Sequence, residues 1–229
     1  MNILIFGPNG SGKGTQGAML RQRFGIPHIE SGALFRQHIA NQTPLGVQAQ
    51  DYIQRGELVP DSITIPMMIE RLKQDDCKQG WILDGFPRSP AQARSLANSL
   101  HEAGIDIDGV VEIVLDREQA KQRILGRRLC VSDNSHANHT AFKAIAPVEK
   151  DGELVCRVCG SQLVARADDQ DERAINKRHD IYYDTSNGTL AAIDYLRHIP
   201  KLRVVSVDGS KSIAEVTSMI VAQLHLDLR

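Results

Sequence analysis

Apolar positions fall along the chain in two alternating styles, short unbroken runs and longer stretches in which they recur every three or four residues. The run at 3–6 (Ile-Leu-Ile-Phe) stops abruptly at Gly7-Pro8-Asn9-Gly10-Ser11-Gly12, as a buried strand does on entering a turn. Similar runs lie at 81–83, 110–115 and 203–207, with a weaker one at 28–30. Between them the helical period prevails. Asp116 followed by Gln119 predicts a capped helix start, continued through residue 128. Ser212 followed by Glu215 predicts another, with Ile213, Val216, Ile220 and Leu224 on one face. Strands alternating with helices predict an α/β fold, a doubly wound parallel sheet of five strands covered on both faces. Residues 129–164 break the pattern. No helical period is sustained there, and Cys, His, Asn, Gly and Pro are concentrated, which predicts an inserted subdomain.

Composition narrows this picture. A chain of 229 residues, 41% apolar and 24% charged, can bury roughly 70–75% of its unfolded surface without disulfides. Lys and Arg number 27 against 28 Asp and Glu, and only 4% of residues are aromatic. That balance argues against a nucleic-acid or anionic-membrane binder working by bulk charge, and against base-stacking platforms. No apolar stretch approaches the length of a membrane span, and no basic segment precedes the 3–6 run, so a cytoplasmic protein is expected. Cys77 stands alone as an ordinary small side chain, whereas Cys130, Cys156 and Cys159 crowd into the irregular segment. In a reducing compartment that clustering points to a metal.

Gly7 to Lys13 matches the first seven positions of the phosphate-binding loop, between a predicted strand and a predicted helix. Backbone N–H groups turned inward, the helix N-terminus and a mobile lysine charge together suit phosphate oxygens. Gly14 then stands where Ser or Thr usually follows, with Thr15 next. A second buried run ends at Asp84, followed by Gly85 and Arg88. Ligands of open α/β sheets bind beyond the carboxyl ends of strands, so Asp84 and the loop share a crevice. Asp84 suits the water shell of Mg²⁺ and Arg88 a bidentate phosphate contact.

Together GPNGSGKGT at 7–15, DGFPR at 84–88, GRR at 126–128, RADDQ at 166–170 and DGSK at 208–211 resemble the adenylate kinases, in the family's order and over nearly the whole chain. The resemblance implies a P-loop fold with core 1–29, 60–126 and 166–229, a monophosphate-binding segment 30–59 and a lid 127–165. It implies the reaction ATP + AMP ⇌ 2 ADP, with Mg²⁺ on ATP and a monomeric protein that binds neither nucleic acid nor membrane. Lys13, Asp84, Arg88, Arg123, Arg127, Arg166 and Arg178 become the catalytic candidates. One residue more than the usual spacing separates the 168–170 motif from Arg178, leaving Lys177 as the alternative there. For ATP the matched positions are Gly10, Ser11, Gly12, Lys13, Gly14 and Thr15, with Arg127 over the nucleotide and Lys211 near the adenine. For AMP they are Ser31, Arg36, Leu58, Val59, Gly85, Arg88, Gln92, Arg166 and Arg178, with the Gln92 amide available to an adenine edge.

Cys156-Arg157-Val158-Cys159 is one metal knuckle. The upstream half offers Cys130, then Asp133, His136 and His139. The expected set is Cys130, His136, Cys156 and Cys159, with Asp133 next in order. A Cys-x5-His arm resembles the lids of adenylate kinases from sulfate-reducing bacteria, which implies structural zinc, or cobalt or iron in its place. Asn138-His139-Thr140 matches a glycosylation sequon, which has no bearing inside a cell. Two rivals remain: a kinase for UMP, CMP or GMP, and a zinc-ribbon binding module on a degenerate nucleotide fold.

Overall fold

A computed structural model describes residues 1–133, 136–165 and 169–226. Five parallel strands form the central sheet in the order β10-β4-β1-β3-β2. They are β1 (Asn2–Phe6), β2 (His28–Glu30), β3 (Trp81–Asp84), β4 (Gly109–Val114) and β10 (Val204–Asp208), numbered with the five strands of the insertion between them. All five runs read from the sequence are therefore strands of one sheet, as expected.

Both faces are buried, and successive residues of one strand point to opposite cores. Ile3 and Ile5 pack with Ile82, Val111 and Ile113. They lie beneath α1 (Lys13–Phe24) and α9 (Ile213–Leu224). Leu4 and Phe6 join Leu83 and Val110 on the other face. There α4 (Asp61–Leu72), α5 (Pro90–Glu102) and α8 (Thr189–Arg197) cover them. The α9 face is the one its spacing indicated, with Val216, Ile220 and Leu224 buried. Its start is a full capping box, Ser212 Oγ accepting from Glu215 N–H while the Glu215 carboxylate accepts from Ser212 N–H. Residues 31–54 add α2 (Ser31–Ala40) and α3 (Pro44–Gln54), packed on one another beyond the end of β2.

One element differs from expectation. Asp116 does cap α6, accepting from Glu118 and Gln119 N–H, but the helix ends at Leu125 rather than residue 128. Arg127–Cys130 is instead a strand, β5, paired antiparallel with β6 (Asn138–His139) on one side and β9 (Leu163–Val164) on the other. Long-range pairing has overridden the local helical pattern. A hairpin of β7 (Val148–Lys150) and β8 (Glu153–Val155) completes the insertion, which carries no α-helix among its described residues. Beyond it α7 (Glu172–Tyr183) returns to the main sheet. Among the described residues no helix is long and apolar enough to cross a membrane.

Candidate active site and metal cluster

The loop after β1 and the end of β3 form one cleft. Gly10 has φ 92°, and a Cβ there would lie 2.2 Å from the Ala120 carbonyl oxygen, so only glycine lets the loop lie against α6. His179 of α7 approaches the loop from another side, with Nε2 3.0 Å from the Asn9 carbonyl oxygen. That carbonyl can only accept, which assigns the proton to Nε2. Within the loop Ser11 Oγ is buried and makes no hydrogen bond among the described residues. A buried, unpaired hydroxyl is costly, and a ligand oxygen is the sort of partner it lacks.

Lys13, at the start of α1, donates to the Gly7 and Pro8 carbonyls at 2.7 and 3.1 Å. Burial pulls its ammonium down to about 8; Asp84 opposes the fall, while Arg88 and Arg127 add to it. Lys13 thus feels the positive charges of Arg88 and Arg127, with Asp84 and Glu30 as counter-charges. A polyanion entering the cleft meets cations already in position.

Asp84 ends β3 almost fully buried and faces His28 Nε2 at 3.4 Å. Burial alone would raise its carboxyl, but the His28 contact and the charges of Lys13 and Arg88 prevail and hold it below the usual range. It is therefore an ionised group, with the chemistry that a hydrated Mg²⁺ requires.

The turn after Asp84 gathers the monophosphate candidates. Gly85 O accepts from both Ser31 Oγ (2.8 Å) and Arg88 Nε (2.7 Å), which ties the start of α2 to the end of β3. Gln92 is buried on α5, its Oε1 accepting from Arg88 N–H at 2.8 Å and its Nε2 donating to Asp61 at 2.6 Å. These bonds orient the amide and leave it one N–H and one lone pair. Val59 is buried and its carbonyl accepts from Thr64 Oγ1, while Leu58 is half-buried. Arg36 folds back over Gly32, its Nη1 3.1 Å from where a Cβ would be.

The remaining arginines divide. Arg127 donates from Nε and Nη2 to Asp169 Oδ2 at 2.9 and 2.6 Å. Arg178, 8% exposed, lies 4.0 Å from the other oxygen of the same carboxylate. Lys177 instead points outward and pairs with Glu57 at 2.6 Å. Of the two residues that spacing left open, Arg178 is the inward one. Arg123 donates to Gly209 O at 2.8 Å, where a Cβ on Gly209 would lie 3.6 Å from the loop's Ser11 carbonyl, and stacks over Phe142. Lys211 is exposed on the adjoining turn, 3.8 Å from Asp208. Arg166 lies outside the described residues.

The second cluster is in the insertion. Ligand atoms of Cys130, His136, Cys156 and Cys159 all lie within 4.8 Å of one another. Cys130 and Cys159 Sγ are 3.4 Å apart, and Cys156 Sγ is 3.6 Å from His136 Nδ1. Zn–S bonds near 2.3 Å in a tetrahedron put sulfurs about 3.8 Å apart, so three thiols and an imidazole here fit such an ion. Burial would raise the Cys156 thiol, but hydrogen bonds from Cys159 N–H and from the Asn138 amide outweigh it and bring it to about 6. His139 is not in the group. Its Nδ1 accepts from Ala141 N–H, its Nε2 faces Arg123 O at 3.2 Å, and its ring packs on Phe142. Asp133 lies 3.6 Å from His136 Nε2, on the far side of the ring from Cys156. There a carboxylate can fix the imidazole tautomer without ligating. His28, Asp169 and Asn138 are partners to which sequence reasoning gave no role, although Asp169 stands in the 166–170 motif, because their contacts with Asp84, Arg127 and Cys156 span 56, 42 and 18 residues of chain.

A family model described as adenylate kinase matches residues 5–199. The chain is 63% identical over 223 residues to an adenylate kinase of Desulfotalea psychrophila, covering 97% of this chain and 99% of the relative. It is 57% identical over 228 residues to one from Desulfosudis oleivorans, covering 98% and 100%. An adenylate kinase of Nitratidesulfovibrio vulgaris (strain Miyazaki F) is 55% identical over 227 residues, again covering 98% and 100%.

Proposed function

Because the chain belongs to the adenylate kinase family, we propose that it transfers the γ-phosphoryl group of ATP to AMP in the cleft between the Gly7–Lys13 loop and Asp84, giving two ADP. The observation that carries this reading is that Lys13 feels the charges of Arg88 and Arg127 in a loop whose Ser11 hydroxyl is buried without a partner. An AMP phosphate oxygen forms the new P–O bond as the bond from the γ-phosphorus to the β,γ-bridging oxygen breaks. The electron pair stays on the ADP oxygen, and no proton transfer is required.

Such a transfer needs positioning and charge more than covalent chemistry. Gly10 to Thr15 hold the ATP phosphates, with Lys13 following the outer ones. Arg127 and Arg178, close on either oxygen of Asp169, belong to the phosphate side, with Arg166 completing the group. Lys211 lies on the Gly209 turn, on the adenine side, and Arg123, which donates to Gly209 O, joins the catalytic arginines on the transferred phosphoryl group. Arg36 and Arg88 clamp the AMP phosphate. Ser31, Gly85, Gln92 and the backbone of Leu58 and Val59 receive its nucleoside, the Gln92 amide using the donor and acceptor that Asp61 and Arg88 leave over. Adenylate kinases use Mg²⁺ with ATP; here Asp84 would hold its water shell, and the ion would neutralise phosphate charge.

We assign 30–59 as the monophosphate-binding segment and 127–165 as a lid that excludes water, the rival acceptor, when it closes. Cys130, His136, Cys156 and Cys159 hold a structural ion in that lid. Three soft thiolates and one imidazole favour Zn²⁺, with Co²⁺ or Fe²⁺ as substitutes. The ion supplies folding free energy to a segment with little apolar burial of its own. We read the protein as a cytoplasmic monomer.

Initial rates with ATP and each of AMP, GMP, UMP and CMP test the substrate assignment. A preference for AMP of at least about a hundredfold in kcat/KM is expected, equivalent to roughly 2.7 kcal/mol. Equal rates with a pyrimidine monophosphate would contradict it.

A further inference from the structure

Asn138 is the asparagine of a glycosylation sequon, yet its side chain is only 3% exposed and its amide nitrogen is fully committed. Nδ2 donates to Cys156 Sγ at 3.4 Å and to the His136 carbonyl at 2.9 Å. Oδ1 accepts from Arg157 N–H at 3.0 Å. Its backbone lies in β6 opposite Arg128, two residues before Cys130 in β5. One buried amide therefore touches the arm that bears His136 and the knuckle that bears Cys156 and Cys159. Its strand pairs with the one that bears Cys130.

We propose that Asn138 is a positioning residue for the lid metal, an outer-shell amide that holds the His136 arm against the Cys156–Cys159 knuckle and orients the Cys156 sulfur. This rests on the reading of Cys130, His136, Cys156 and Cys159 as the metal site. The chemistry is specific to an amide at this point. Both N–H groups and one carbonyl lone pair are used by three groups that no shorter side chain could span together. An N–H donor on a thiolate sulfur fixes the lone pair offered to the ion, and outer-shell partners of this kind typically contribute ten- to a hundredfold in metal affinity.

The test uses the full-length protein and Asn138→Ala, with Asn138→Ser as a smaller perturbation should the alanine variant not fold. Zn²⁺ affinity is read by competition with a chromophoric chelator, and sulfur-to-metal charge transfer by the absorption of the Co²⁺ form. Melting temperature is measured with Zn²⁺ and after chelation. The variants should bind Zn²⁺ about 10- to 100-fold more weakly. They should also shift the Co²⁺ charge-transfer band and shrink the rise in melting temperature that Zn²⁺ gives. Unchanged affinity and an unchanged band, even with lower melting temperatures in both states, would overturn the proposal and leave Asn138 a purely structural residue. Failure of the wild-type protein to bind one ion per chain would overturn the metal site itself and this inference with it.

Discussion

Gly17 lies in the interior of α1, where replacing glycine by alanine ordinarily stabilises a helix by about 0.5–1 kcal/mol. Here the sign should reverse. A Cβ at 17 would lie 2.3 Å from His28 Nε2, 2.4 Å from Cε1 and 2.6 Å from Cδ2. The imidazole is only 7% exposed, so it can yield only by leaving Asp84. Overpacking a filled site costs about 1–3 kcal/mol, and stripping a buried carboxylate of a partner costs a similar amount. Lys13 stays near Asp84 and moderates the second cost. Set against the helix gain, Gly17→Ala should destabilise by about 2 kcal/mol. In a His28→Ala background the methyl group has room, and the same change should stabilise by about 0.5–1 kcal/mol. The coupling between the two sites is then about 2.5–3 kcal/mol, at the upper end of what contacting residues show. Urea denaturation of the four proteins at pH 7 measures it. If Gly17→Ala stabilised both backgrounds alike, the packing of His28 between α1 and Asp84 would be refuted.

The same pair carries a pH signature. Burial lowers the His28 pKa, but the Asp84 hydrogen bond and charge outweigh it, so the net shift is upward. Its stabilising share is complete below the ordinary histidine value and lost as pH rises through the raised one. His28→Gln should therefore cost more stability at pH 6 than at pH 9 in denaturant titrations. Arg178→Ala should lower kcat by about 10²–10³-fold with folding intact, as loss of one positioned charge does; near-normal turnover in steady-state assays would remove Arg178 from the phosphate group. His136→Ala should reduce metal bound per chain, measured by elemental analysis, whereas His139→Ala should leave it unchanged, because both His139 nitrogens are engaged elsewhere.

The cleft was largely legible because its parts are local. A strand, a glycine-rich turn and a helix start within fifteen residues define the phosphate loop, and the Asp84–Arg88 turn is five contiguous residues. The five-stranded sheet followed from unbroken apolar runs, which parallel strands buried on both faces require. What could not be read depends on distant partners. Gly126, the C-cap of α6, marks locally where the helix can stop, but not that Arg127–Cys130 then becomes a strand, which depends on its pairing with 138–139 and 163–164. Nor does local sequence assign His28 to Asp84, 56 residues on. In the insertion, spacing put His136 ahead of Asp133 and His139; contacts separate them, His136 beside the thiols, Asp133 on the other nitrogen of its ring and His139 against Arg123 and Phe142.

The most direct test of the phosphate cleft is ADP formation from ATP and AMP by the wild-type protein and by Lys13→Met, each checked for an intact melting transition. The account predicts rapid turnover by the wild type and a loss of about 10³-fold or more in kcat/KM for the variant, because the ammonium at the loop has no substitute on its own element. A folded Lys13→Met protein within tenfold of wild type would contradict it, and phosphoryl transfer would have to be sought elsewhere in the molecule.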